Sequence, residues 1–342
     1  MHIFYITKEW RTGSLKWTIA LCYPPNLQRP ILHEWHLERL ADLGRVLHTE
    51  WSDPEQARRA LYEADAAITS WGTPRLDEEW LCHCPRLKVV AHAAGTVKGL
   101  VSAALWERGI RVSSANGPLG EGVAETALGM TIASLKNMWR IDRAARAGGW
   151  TEERRLAREL YQITVGVIGA GKAGTHYMKL LRPFRVKVLV YDPFVSRQRL
   201  AELGATRTEL DELIRQSDVV SIHAPLLPST RNMLDRGRLM AMKDDAIIIN
   251  TARAPIIDEE ALIEQLSLGR LFACLDVTSS EPLAADHPLR SLPNCALTCH
   301  IAGAVSNGGY RLGQFAVEEL ERFKRGMKME GEVEREQMEI LA

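Results

Sequence analysis

Hydrophobic and polar positions change their period sharply along this chain. From residue 164 to residue 300, short apolar runs rich in β-branched residues alternate with amphipathic stretches of helical length. The runs are TVGVIG (164 to 169), KVLVYD (187 to 192), DVVSIHA (218 to 224), AIIIN (246 to 250), FACLDV (272 to 277) and ALTCH (296 to 300). Each is followed by turn or cap residues. Apolar runs without alternation fit strands covered on both faces, and strands that alternate with helices predict a parallel sheet of right-handed βαβ units. Between them, DELIRQS and DEEALIEQLSLGR carry apolar residues at helical spacing. The second has acidic residues in its first turn and Gly269 and Arg270 at its end, the polarity that a helix dipole favours.

The first third reads as a smaller α/β unit. LHEWHLERLADLG and DPEQARRALYEA have helical spacing, while DAAITSW and LKVVAHAA read as strands. The opening MHIFYITKEWRTGS reads as a short strand followed by a polar loop. EGVAETALGMTIASLKNMWRIDRAARAGGW, residues 121 to 150, predicts one long helix bridging two units. GGYRLGQFAVEELERFKRG, after the last strand, predicts a helix that returns the chain to the first unit. The expected division is therefore residues 1 to 115 plus 305 to 342 in one domain, with 116 to 304 inserted as the other. The charged tail EGEVEREQMEILA reads as a solvated helix or a disordered end.

Composition narrows the class of partner. With 342 residues, 46% of them hydrophobic and 25% charged, the chain is long enough for two ordinary globular domains. Lys plus Arg balances Asp plus Glu at 43 each, so no global field draws nucleic acid or a membrane surface. A small molecule is the expected partner, and any anion must be held by a local cluster. No apolar run reaches the roughly 18 residues of a membrane span and the N-terminus lacks a signal-type apolar segment, which predicts a cytoplasmic protein. The six cysteines, Cys22, Cys82, Cys84, Cys274, Cys295 and Cys299, are scattered. Neither Cys82-His83-Cys84 nor Cys295 to His300 has the paired spacing of a zinc site, so packing is expected and no metal.

Chemistry concentrates at strand ends. VGVIGAGKAG places Gly169, Gly171 and Gly174 as G-x-G-x-x-G between a strand and a helix. Gly169 allows the tight turn, Gly171 lets backbone approach a pyrophosphate, and Gly174 lets helix and strand pack closely. Asp192 ends the next strand 18 residues after Gly174, where a carboxylate binds an adenosine ribose diol. Its charge favours NAD over NADP, although Arg197 and Arg199 lie nearby. Alone, Asp192 would be read as the cap of the turn at DPF. Three more polar residues follow strand ends: Arg253, Glu281 and His300. A lone histidine there is more often structural, as His223 in SIHAP illustrates, and a lone Arg or Glu is usually solvated. Together the three suit reduction of a 2-oxo acid. The guanidinium holds the carboxylate or carbonyl, the imidazolium protonates the alkoxide, and the carboxylate keeps the imidazole charged and oriented.

With these motifs in register, the sequence resembles the D-isomer-specific 2-hydroxyacid dehydrogenase family. VVAHAAGTVKGLV is similar to its substrate-carboxylate loop, GVAETALGMTIA to the start of its interdomain helix, and VGVIGAGKAG with VYDP to its cofactor fingerprint. HAPLLPST, NTARAPIIDEEAL, LDVTSSEPL and TCHIAGA follow in the family's order. The resemblance covers roughly residues 85 to 310. It implies a Rossmann NAD-binding domain inserted into a flavodoxin-like substrate domain, and a homodimer formed through the helix region near 121 to 147. It puts Arg253, Glu281 and His300 in the catalytic positions, with Ala94, Gly95 and Thr96 as backbone donors to the substrate carboxylate. Gly169, Gly171, Lys172, Ala173, Gly174, Asp192, Pro225, Thr230, Thr251, Ala252, Asp276 and Gly303 would line the cofactor, Asp276 at the carboxamide. Two departures bear on which acid is taken: Ala254-Pro255 follows Asn-Thr-Ala-Arg where the family usually has Gly, and Thr278 stands where an aromatic is common. Formate-oxidising relatives carry Gln where Glu281 stands. The alternative is a nucleotide-sensing protein similar to the corepressors built on this fold, and turnover of 2-oxo acids separates the two.

Overall fold

The computed structural model describes residues 17–24, 30–48, 53–150 and 152–339; the reading of MHIFYITKEWRTGS falls outside them. The chain divides into two compact units. Residues up to Leu119 join those from Ala304 onward, and Gly120–Gly303 form the second unit between these two pieces.

Unit 1 is built from β1 (Trp17–Cys22), α1 (Glu34–Leu43), β2 (Gly44–His48), α2 (Pro54–Glu63), β3 (Ala66–Thr69), α3 (Glu78–Leu81), β4 (Val89–His92), α4 (Ala103–Glu107) and β5 (Arg111–Ser114). All its strand pairs are parallel, in the order β2-β1-β3-β4-β5. That is the flavodoxin-like arrangement. Local chemistry sets the helix starts: Asp53 accepts from the amides of Glu55 and Gln56, with Pro54 in the first turn. β3 and β4 are buried along their whole length, as strands covered on both faces must be.

The single helix expected over 121 to 150 is instead two, α5 (Asn116–Leu135) and α6 (Met138–Arg146). The break falls at Asn137, whose φ of 54° lies in the left-handed region that asparagine tolerates better than most residues. The freed carbonyl of Leu135 accepts instead from the amide of Arg158 at 2.7 Å. Apolar periodicity carries across residue 137, so it gave no warning.

Unit 2 contains β6 (Thr164–Ile168), α7 (Lys172–Leu181), β7 (Lys187–Tyr191), α8 (Arg197–Glu202), β8 (Thr206–Arg207), α9 (Leu210–Gln216), β9 (Val219–Ile222), α10 (Arg236–Ala241), β10 (Ile247–Asn250), α11 (Glu259–Ser267), β11 (Phe272–Leu275) and β12 (Cys295–Leu297). Its parallel sheet runs β12-β11-β10-β9-β6-β7-β8. Read from the first strand of the unit outward, this is the Rossmann order, with its switch point between β6 and β9. The register aligns Tyr191, Ile168, Ile222, Asn250, Leu275 and Leu297 in one row across the sheet. Every residue that follows this row therefore leaves the same edge. The chain then re-enters unit 1 as α12 (Gly308–Lys324). Among the described residues, no helix is long and apolar enough to cross a membrane.

The expectation of a solvated or disordered tail is corrected for its described part. Val333 is 5% exposed and its amide donates to Val112. Arg111 forms a two-point pair with Glu332. Glu319, fully buried on α12, accepts from the amides of Glu330 and Gly331, both at 2.9 Å, and from Arg322. These partners lie outside the tail's own segment, so its charge density concealed them. Glu319→Ala leaves two amides without an acceptor and is expected to cost about 1–3 kcal/mol. Chemical denaturation reads the loss, and limited proteolysis should cut after residue 326 faster than in the parent.

Candidate active site

The glycine loop leaves β6 at the switch point. Gly169 has a φ of 92°, and a Cβ on Gly174 would lie 2.0 Å from the Gly169 carbonyl oxygen, so neither position admits a side chain without backbone movement. A Cβ on Gly171 would meet nothing within 4 Å. Gly171 caps α7 without any side-chain hydrogen bond, and Lys172 and Ala173 occupy its first turn. Open space above an uncapped helix N-terminus is what a pyrophosphate requires.

Asp192 caps the turn at DPF, and does more. Its Oδ1 accepts from the amides of Phe194 (2.8 Å) and Val195 (3.1 Å). Its Oδ2 accepts from Ala170 at 2.7 Å, so the carboxylate is tied to the glycine loop itself. An ionised carboxylate has about four acceptor sites, which leaves capacity for a ribose hydroxyl. Thr251 is buried with its hydroxyl unpartnered. Thr230 spends its hydroxyl within its own loop, on the Pro225 carbonyl and the Leu227 amide. The space, the uncapped helix and the orphaned Thr251 hydroxyl fit a dinucleotide.

Glu281 and His300, 19 residues apart, meet through Glu281 Oε2 and His300 Nδ1 at 2.7 Å, with both side chains nearly half exposed. Glu281 Oε1 accepts from the Thr278 amide at 3.4 Å, and the Thr278 hydroxyl donates to Ser280, so the turn carrying Glu281 is self-braced. His300 has a φ of 53°, an unusual conformation for a residue with a Cβ. Asp276 enforces it. The Asp276 carbonyl accepts from the His300 amide at 3.0 Å, while its carboxylate, 1% exposed, accepts from Thr298 Oγ1 (2.5 Å), Ile301 N (2.8 Å) and Ala302 N (2.8 Å). The residue expected at the carboxamide thus also clamps the whole segment around the histidine. Gly303 follows that segment and is half-buried.

Arg253 leaves β10 three residues past the aligned row and is exposed. Its turn is held by Asn250, whose side chain accepts from Ala252 N and donates to the Arg253 carbonyl, both at 3.0 Å. Ala254–Ile256 form a short 3-10 turn with Pro255 in its opening positions, where a fixed φ and a missing N–H fit. The departure Ala254-Pro255 therefore stiffens the segment directly behind the guanidinium.

In unit 1, Ala94, Gly95 and Thr96 follow β4; the first two are buried and Thr96 is exposed. Cys22, Cys84, Cys274 and Cys295 are buried free thiols, and Cys82 and Cys299 are exposed ones. Among the described residues no cluster of His, Cys, Asp and Glu could hold a metal.

A buried hydroxyl chain went unread in the sequence. Thr131 on α5 bonds Tyr177 on α7 at 2.7 Å, and Ser221 on β9 bonds His223 Nε2 at 2.9 Å. The Tyr177 and His223 rings lie 5.0 Å apart. Burial pushes His223 down to about 3 and Tyr177 up to about 12, so both are neutral at ordinary pH. Ser221 inside an otherwise apolar strand was the available signal.

Residues 128–302 match the family model described as D-isomer specific 2-hydroxyacid dehydrogenase, NAD binding domain. Glyoxylate reductase of Aeropyrum pernix is 32% identical over 286 residues, covering 81% of this chain and 85% of its own. D-3-phosphoglycerate dehydrogenase of Archaeoglobus fulgidus is 32% identical over 268 residues, covering 78% of this chain. The present chain spans about half (51%) of that relative's length. The solved D-lactate dehydrogenase of Aquifex aeolicus, complexed with NAD and lactic acid, superposes with a TM-score of 0.68 at 28% identity, covering 90% of this chain and 96% of that one. The two sheet orders, the glycine loop at the switch point and these likenesses lead to one conclusion: the chain belongs to the D-isomer-specific 2-hydroxyacid dehydrogenase family.

Proposed function

We propose that this protein interconverts 2-oxo acids and 2-hydroxy acids with NAD(H), and the observation that carries this is the Glu281–His300 contact on a segment locked by Asp276. The dinucleotide supplies or accepts the hydride. His300 Nδ1 faces Glu281, and the imidazole delivers a proton to the nascent alkoxide in reduction and removes it in oxidation. Glu281 fixes the orientation of the ring through its contact with Nδ1. Arg253 holds the carboxylate or carbonyl of the substrate, and the amides of Ala94, Gly95 and Thr96 bind its carboxylate. The relatives named as a glyoxylate reductase and a phosphoglycerate dehydrogenase support the substrate class. Gly169, Gly171, Lys172, Ala173, Gly174, Asp192, Pro225, Thr230, Thr251, Ala252, Asp276 and Gly303 are proposed to line the cofactor.

Asp192 supports NAD over NADP. A carboxylate already ordered by three amides cannot turn away from a 2′-phosphate, and Arg199 is engaged by Glu202 at 3.1 Å. A homodimer is proposed through the α5–α6 region. None of the α6 residues is buried, and Met138 and Trp139 are 50% and 41% exposed.

Three measurements test this reading. With a panel of 2-oxo acids, the parent should oxidise NADH steadily. His300→Ala should lower kcat by about 10²–10⁴-fold while NADH affinity, read by fluorescence, changes little. Near-normal turnover by the variant overturns the role of His300. No turnover by the parent with any acid favours the nucleotide-sensing alternative. NADH should bind at least about tenfold more tightly than NADPH, a gap of about 1.4 kcal/mol, and equal affinities would refute the role given to Asp192. Light scattering should give twice the 38.3 kDa chain mass; a monomer removes the dimer proposal.

A further inference from the structure

The carboxyl edge of the unit 1 sheet is polar in a way that packing does not require. One register row joins Cys22, Thr69, His92 and Ser114 across β1, β3, β4 and β5. Thr69, His92 and Ser114, with Ser70 just beyond, are no more than 5% exposed. Burying four polar side chains is unfavourable unless each is hydrogen-bonded, and apolar residues would fill the same space at lower cost.

Their bonds converge on one short loop. Ser70 Oγ donates to the Ala93 carbonyl at 3.0 Å, and Ser114 Oγ donates to the Gly95 carbonyl at 2.5 Å. His92 Nδ1 meets Thr69 Oγ1 at 2.9 Å. Burial pushes His92 down to about 4, and the hydrogen-bonding contribution that opposes this comes from the backbone of Thr96. A neutral ring that accepts from Thr69 at Nδ1 carries its proton on Nε2, and its available backbone acceptor is the Thr96 carbonyl. Two carbonyls of the loop, those of Ala93 and Gly95, are thus held from beneath, with the His92 ring against the backbone of Thr96. The amides of Ala94, Gly95 and Thr96 donate to no group among the described residues. Successive free amides with their carbonyls turned inward form a concavity that favours an anion.

We propose that Ser70, His92 and Ser114 are positioning residues that hold the backbone of the 93–96 loop in place, so that the Ala94, Gly95 and Thr96 amides are pre-set for the substrate carboxylate. The inference rests on the 2-oxo acid reading above. It adds that affinity for the carboxylate is set by side chains that never touch it.

Ser114→Ala, Ser70→Ala and His92→Leu should each raise KM for a 2-oxo acid about tenfold, as expected when a preset charge-assisted hydrogen bond is loosened. They should change kcat less than about threefold and leave NADH affinity unchanged. Ser114→Thr and His92→Gln, which keep a donor, should recover most of the loss. A general loss of stability would move NADH affinity and kcat as well, and would not follow donor chemistry. Calorimetric titration with oxamate in the presence of NADH reads the cradle without turnover and should show the same tenfold weakening. Variants whose KM and oxamate affinity stay within twofold of the parent overturn the positioning role. Failure of the parent to bind oxamate overturns it too, whereas the turnover panel judges the 2-oxo acid reading separately.

Discussion

Everything functional in this protein depends on one constraint: strands of a parallel sheet all end on the same edge. Both faces of such a sheet are covered, so strand interiors must be apolar, and polar residues gather where the backbone finally leaves the sheet. In unit 2 the row ending at Tyr191, Ile168, Ile222, Asn250, Leu275 and Leu297 releases Asp192, the glycine loop, His223, the Arg253 turn, Asp276 and the His300 segment from one edge. In unit 1 the corresponding row ends in Thr69, His92 and Ser114. Groups distant in sequence converge there without any element bending to bring them together.

Within unit 2, the Glu281–His300 pair sits on a segment that Asp276 holds in place. The pair is too exposed to stabilise much; such contacts contribute about 0–1 kcal/mol. A left-handed conformation at His300 costs roughly 1–2 kcal/mol. Hydrogen bonds to a buried charge contribute roughly 1.5–3 kcal/mol each, and Asp276 accepts three of them from the segment. The buried carboxylate therefore outweighs the strain and fixes the segment that carries the imidazole. Asn250 holds the Arg253 turn by the same means, a buried strand-end side chain bonded to the backbone of the next loop.

Legibility in the sequence followed the range of the interaction. The six apolar runs of the nucleotide-type unit all contain strands, because covered strands write a local and unmistakable pattern. The G-x-G-x-x-G spacing was readable because Gly169 and Gly174 answer local backbone demands. β1, β2 and β5 were missed; β5 in particular, Arg-Val-Ser-Ser, has three polar residues out of four and gives no periodic signal. The break at Asn137 was hidden by apolar residues that continue past it. The tail looked solvated because its partners, Glu319 and Arg111, lie elsewhere in the chain.

The sequence by itself determined the parallel α/β class and the dinucleotide loop, and it singled out Arg253, Glu281 and His300 as polar residues at strand ends, since each reading rests on short spacings or on residue types. Only the tertiary structure decided how those residues are held. The contact between Glu281 and His300 spans 19 residues, and the clamp on His300 comes from a carboxylate just past the end of β11. The polar row beneath Ala94, Gly95 and Thr96 draws on three strands at once. Hydrogen bonds are directional and short-ranged, so which buried polar group serves which loop depends on strand register, a property that no single segment of sequence contains.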